Sequence, residues 1–223
     1  MMESGIYVHD DVRAVQDLYG DLPRREDVRE LPMREQIERL AERFLEGHRE
    51  EHPGAAVLAR NRLRRLAMAT EEEVRTARLH RDDALEIVAA DQGFADWAEA
   101  GDAGRRPPDP DFEAAVDVLV AGDEGELRRT LEAEPALTRR RSWWGHRATL
   151  LHYLAADGVE IYRQQMPANA ARLARILMDA GGEPEAEARF YGERQSVKDM
   201  LGRSAHPEAA GIAKELRAAL RGE

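Results

Sequence analysis

The sequence predicts an all-α protein, a helical N-terminal module followed by a short, irregular solenoid of helix pairs. Three observations carry that expectation. Apolar residues recur at helical spacing through most of the chain. Glycine or proline punctuates the ends of those stripes. A Gly/Pro-rich stretch, residues 101–110, divides two differently patterned halves and reads as a linker.

Residues 1–33 mix charges with Gly20, Pro23 and Pro32 and hold only a weak helical stretch around Val12, Val15, Leu18 and Tyr19, so they read as a poorly ordered lead-in. The module occupies 34–100. Ile37, Leu40, Ala41, Phe44, Leu45 and His48 form one amphipathic stripe, which His52-Pro53-Gly54 stops. A second helix is expected from about Gly54 to Ala67, with Leu63 and Leu66 inward. Thr70 and Glu73 have capping-box spacing. Asp82 to Gly93 reads as a helix with acids at its positive end and a glycine stop. Phe94-Ala95-Asp96-Trp97 opens another, with Asp96 as its cap.

Three imperfect helix pairs are expected over 111–223. The first holds Phe112, Ala115, Val116, Leu119 and Val120, a break at Gly122, then Leu127 and Leu131. The second joins Leu150–Gly158 to Ala170–Ala180, with Val159–Ala168 as an insertion between them. The third is degenerate: Val197–Leu201, a His206-Pro207 break, then Ile212, Leu216 and Leu220.

Thr149-Leu150-Leu151-His152-Tyr153-Leu154-Ala155-Ala156-Asp157-Gly158 resembles the first helix of an ankyrin repeat, with Leu150 in place of the usual Pro. Thr149 is the expected cap, Ala156 admits a neighbouring helix, and Gly158 ends the turn. The resemblance covers roughly 110–221 and implies that His152 ties adjacent repeats. The spacing from Gly122 to Gly158, 36 positions, approaches the family's period of about 33. The segment ending in Gly93-Phe94-Ala95-Asp96-Trp97 is similar to one found ahead of ankyrin-like repeats in many bacterial proteins.

Within that resemblance, Arg139-Arg140-Arg141-Ser142-Trp143-Trp144-Gly145-His146-Arg147 would form the extended finger between repeats, which in the family often contacts partners. It gathers two of three tryptophans and much basic charge into nine residues of an acidic chain. Arg and Trp are the types that most often dominate interface energetics. The rival reading is that the tryptophans cover the core and the arginines cap helices or pair with local acids. Tyr162, Arg163 and Gln164, in the middle-repeat insertion, complete the expected partner-binding set.

Composition narrows the classes. With no Cys among 223 residues, disulfides, thiolate catalysis and cysteine-ligated metals are excluded. A net charge of -11 disfavours nucleic-acid and anionic-membrane partners. No apolar run approaches a membrane span, and Met-Met-Glu-Ser-Gly lacks signal-peptide features, so a cytoplasmic location is expected. No metal or cofactor is expected: His48 and His52 stand at i, i+4, but beside Pro53 and Glu50-Glu51 they read as a solvated helix end. No catalytic motif is present, so the expected role is non-catalytic binding of a protein partner. Two alternatives stand beside it. One is a small-molecule binder or enzyme with a pocket near His146 and Tyr162; the other is a regulator contacting nucleic acid through Arg139–Arg141.

Overall fold

The computed structural model describes residues 5–222. The protein is mostly helical, as the apolar periodicity predicts, with fourteen α-helices and two small antiparallel strand pairs among the described residues. The chain forms two compact units. The N-terminal unit comprises residues 10–108 and 160–162; the C-terminal unit comprises 5–9, 109–159 and 163–222. Among the described residues, no helix is long and apolar enough to cross a membrane.

The N-terminal unit contains α1 (Asp10–Tyr19), α2 (Glu26–Arg29), α3 (Met33–Arg49), α4 (Pro53–Arg62), α5 (Glu71–Thr76), α6 (Arg81–Asp91) and α7 (Trp97–Ala103). The stretch read as a lead-in supplies core: Val12, Val15, Leu18 and Tyr19 of α1 are buried. Helix α1 packs closely on α4 at Gly54 and on α3 at Gly47, which lack side chains; a Cβ on Gly54 would stand 2.2 Å from the Ala14 carbonyl oxygen, and one on Gly47 2.2 Å from Leu18. Helix α3 buries the predicted stripe of Ile37, Leu40, Ala41 and Phe44. Helix α4 stops at Arg62, short of expectation, and Leu66 is buried from a 3-10 turn instead.

The predicted caps of Thr70 and Asp96 both form, on Glu73 and Glu99 backbone N–H groups respectively. The expected linker is tied down. Gly104 and Arg106 carbonyls accept from Arg34 and Met33 N–H at 3.0 Å, satisfying donors at the start of α3. The Arg34 guanidinium also lies 5.4 Å from the Trp97 ring centre.

The C-terminal unit contains β1 (Ile6–Val8), α8 (Pro110–Ala121), α9 (Glu124–Ala133), α10 (Leu150–Tyr153), β2 (Gln165–Pro167), α11 (Ala170–Asp179), β3 (Glu187–Phe190), β4 (Glu193–Ser196), α12 (Val197–Arg203), α13 (His206–Ala209) and α14 (Ala213–Arg221). Asp109 caps α8 and Gly122 ends it with φ +78. Helix α8 touches α9 and α10, α10 touches α11 and α12, and α12 touches α14; α9 touches α11, and α11 touches α14. One continuous core runs through these helices, from Phe112 to Leu220.

Two local outcomes differ from the sequence reading. Helix α10 ends at Tyr153, after which i→i+3 bonds such as Ala156 N–H to Tyr153 O continue the chain as tight turns to Gly158. Gly158 is required twice over: its φ is +70, and a Cβ there would stand 2.5 Å from the Phe190 ring. The strands were also not foreseen. β1 pairs antiparallel with β2, and β3 with β4.

Candidate functional site

The segment singled out as a finger folds back on itself. After α9, Pro135 starts a 3-10 turn, and the Thr138 hydroxyl donates to Pro135 O and Ala180 O. The loop then closes through Ser142 N–H to Ala148 O at 2.8 Å, Trp144 N–H to Ser142 Oγ at 3.1 Å and Arg147 N–H to Trp144 O at 3.0 Å. His146 Nδ1 accepts from Ala148 N–H at 3.0 Å, which assigns the ring N–H to Nε2. These bonds turn Trp144 and His146 inward. His146, 0% exposed, stacks on Phe190 at 5.9 Å and meets Tyr153 edge-on at 6.0 Å.

Each arginine of the run has local acceptors. Arg139 lies 3.7 Å from Glu183 and 3.4 Å from Gly181 O. Arg140 sits among Glu134, Asp109 and Asp111 at 3.3, 3.4 and 3.9 Å. Arg141 donates to Arg147 O and Glu187 O. Arg147, at φ +57, is exposed.

Hairpin β3–β4 lies beside this loop, joined to it by Arg189 N–H to His146 O at 2.8 Å. Tyr191 and Gly192, at φ +54 and +82, make its two-residue turn, the geometry that a right-twisted hairpin favours. Tyr191 is 61% exposed, and its hydroxyl donates to Asp157 at 2.6 Å.

The ten expected contact residues therefore separate. Trp144, His146, Tyr162, Arg163 and Gln164 are buried, which removes their side chains from any contact surface; Arg140, Arg141 and Trp143 are half-buried, while Arg139 and Arg147 are exposed. Arg163 is held by Glu113 and by Asp117 at 3.2 Å, locking the insertion onto α8. Gln164 donates to Val159 O at 2.6 Å. Tyr162 belongs to the N-terminal unit, whereas His146, Tyr191 and Gln195 belong to the C-terminal one.

His152 packs against Phe190 at 5.6 Å and is 0% exposed. Its Nδ1 accepts from Thr149 N–H at 3.1 Å and pairs with the Thr149 hydroxyl at 2.8 Å, so the side chain completes the cap of its own helix. Burial pushes the imidazole down to about 4, the backbone at Gln195 and Ala186 opposing and His146 assisting.

Sequence reasoning missed a polar core in the N-terminal unit. Asp91, 0% exposed, accepts from Arg62 at 3.0 Å and from Ile161 N–H at 3.3 Å. Burial raises its carboxyl above the usual range, with Arg62 opposing. Tyr19 meets Tyr162 edge-on at 6.3 Å, and Gln16 donates to Tyr162 O. Burial, then Asp91, raises the Tyr19 hydroxyl well above its ordinary value. The signal lay in α6: Asp91 falls at i+4 from Ile87 and i+3 from Val88, on the apolar stripe itself.

His48 and His52 are both engaged structurally, with Ala77 O at 2.8 Å and Gly54 N–H at 3.1 Å. A groove beside α3 and residues 79–81, of about 530 Å³, is lined by acids already near arginines, such as Glu38 with Arg81 at 3.6 Å and Glu46 with Arg43 at 3.5 Å. No protein-family model, curated protein or solved structure matches the chain.

Proposed function

We propose that the chain is a non-catalytic protein-binding scaffold whose C-terminal unit is an ankyrin-like stack of three helix pairs. The observation that carries this reading is the contact order. First helices α8, α10 and α12 touch in succession, second helices α9, α11 and α14 do likewise, and each first helix meets its own second. Two first helices also begin with the same device, a hydroxyl at the cap whose partner side chain lies three residues on: Thr149 with His152, and Ser196 with Asp199.

On this reading the connectors between pairs, residues 134–149 and 180–196, are the contact surface. Trp143, Arg147 and Tyr191 are the side chains they offer, in place of the buried Trp144 and His146. The polar groups that an enzyme or small-molecule reading would need are committed to packing: His146 and His152 sit against Phe190, Arg163 against Glu113, and Tyr162 lies in the other unit. The arginines of a nucleic-acid reading are matched by Glu183, Asp109, Glu134 and backbone carbonyls.

The test is affinity capture from an extract of the source cell, wild type against Trp143→Ala/Arg147→Ala/Tyr191→Ala, with circular dichroism confirming that the variant folds. A protein held by wild type and lost by the variant supports the reading. Identical capture by both, or cross-links confined to residues 10–108, overturns it.

A further inference from the structure

Strand β1 is held in the C-terminal unit by two kinds of contact. Its backbone pairs with β2, Ile6 to Pro167 and Val8 to Gln165, and Gly5 O accepts from Ala168 N–H at 2.5 Å. Its side chains reach α13, which itself packs on β2. The Tyr7 ring meets His206 edge-on at 6.2 Å, and the His9 ring meets the same His206 at 5.9 Å and 76°. His206 is half-buried, and its Nδ1, shielded from solvent, makes no hydrogen bond.

We propose that β1 is a proton-sensitive clasp: in mildly acidic solution, charging of His206 beneath the adjoining His9 and Tyr7 rings releases residues 5–9 from the β2–α13 surface. Histidine is the side chain that gains charge between about pH 5 and 8. A charged His206, half-buried against β1, must recover solvent, and the adjoining His9 disfavours its charge further. Release bares the edge of β2, whose backbone groups and the buried Met166 then face water.

Asp157, in the turn after α10, is the carboxylate that favours a charged His206, and it already accepts from the Tyr191 hydroxyl. On α13, Glu208 pairs with Arg217 at 2.7 Å; ahead of it, Arg203 lies 3.6 Å from Glu193. Asp10 follows His9 in the chain. The net result lowers His206: burial first, then His9, with Asp157 opposing. A lowered folded value means that the hold is complete above about 6.5 and is lost as pH falls through that folded value.

The test follows two readouts on the full chain, imidazole NMR titration and amide exchange of Tyr7 and Val8 between pH 7.5 and 5.5, normalised to α8 core amides and corrected for intrinsic chemistry. In wild type, His206 titrates below its ordinary value, and β1 protection falls severalfold relative to α8 across that range. In His9→Gln the His206 midpoint rises and the relative loss of protection shrinks. An unmoved His206 midpoint in His9→Gln, or β1 protection that tracks α8 at every pH, overturns the proposal.

Discussion

His152 makes the C-terminal unit acid-sensitive in a calculable way. Its imidazole ordinarily titrates near 6.5 and in the fold near 4, because the ring is walled by Phe190 and closed over by its own helix cap. A base with a depressed folded value leaves the unfolded chain to take up the proton first. The stability it supports is therefore whole above pH 6.5 and is lost as pH falls from there to 4. The difference of 2.5 units (6.5 minus 4) is worth about 3 kcal/mol at about 1.36 kcal/mol per unit. That is a large share of the ~5–15 kcal/mol by which domains are stable. The assay is urea unfolding at a series of pH values in a Trp97→Phe background, so that Trp143 and Trp144, both in the C-terminal unit, report. The wild-type free energy should fall by about 3 kcal/mol over that window, and His152→Gln, less stable at neutral pH, should show a correspondingly flatter profile. Parallel profiles for the two chains, or an NMR midpoint for His152 near 6.5 in the folded protein, would refute the reasoning.

Three further outcomes follow from buried groups. Arg163→Ala should cost about 3–5 kcal/mol in urea unfolding, since it strands the buried Glu113 carboxylate, and Arg163→Met/Glu113→Leu should recover much of that loss. Tyr19→Phe should be neutral or stabilising by about 1 kcal/mol, because the buried hydroxyl makes no hydrogen bond; a clear loss in thermal midpoint would mean that it has an unseen partner. Gly158→Ala should cost about 2 kcal/mol or more, combining a left-handed backbone with a Cβ overlapping Phe190, whereas Gly202→Ala, with open space around it, should cost nothing measurable.

The long helices were legible because burial and periodicity agree along them. Helix α3 hides Ile37, Leu40, Ala41 and Phe44, the residues that its spacing nominates, and Gly122 marks the end of α8 by the only conformation that reverses the chain there. The strands were not legible for two different reasons. β1–β2 joins the two ends of a long intervening sequence through backbone groups alone, so side-chain pattern carries little of it. Hairpin β3–β4 does carry a signal, alternating Ala188 and Phe190 inward and closing on Tyr191-Gly192, but its strands are only four residues each. Gly158 likewise ends the turn after α10 without continuing the helix, a difference decided by the Phe190 ring that arrives from β3.

Which of the candidate contact residues lie at the surface was only partly legible in the sequence, and the reason is electrostatic. Arg140 and Arg163 are the same residue type in segments equally rich in polar and aromatic side chains, yet one rests half-buried among Asp109, Asp111 and Glu134 while the other is sunk between Glu113 and Asp117. The acids responsible stand mainly on α8 and its cap, far back in the chain. A basic run nominates a binding surface only for those arginines that no such acid reaches across the fold to meet, and a tryptophan only where the loop's own hydrogen bonds leave its ring outside. On exposure alone, the proposed contact surface comprises Trp143, Arg147 and the hairpin tip at Tyr191, with Trp144 buried. If the proposed function holds, substitutions at these last positions disturb binding while leaving the core intact.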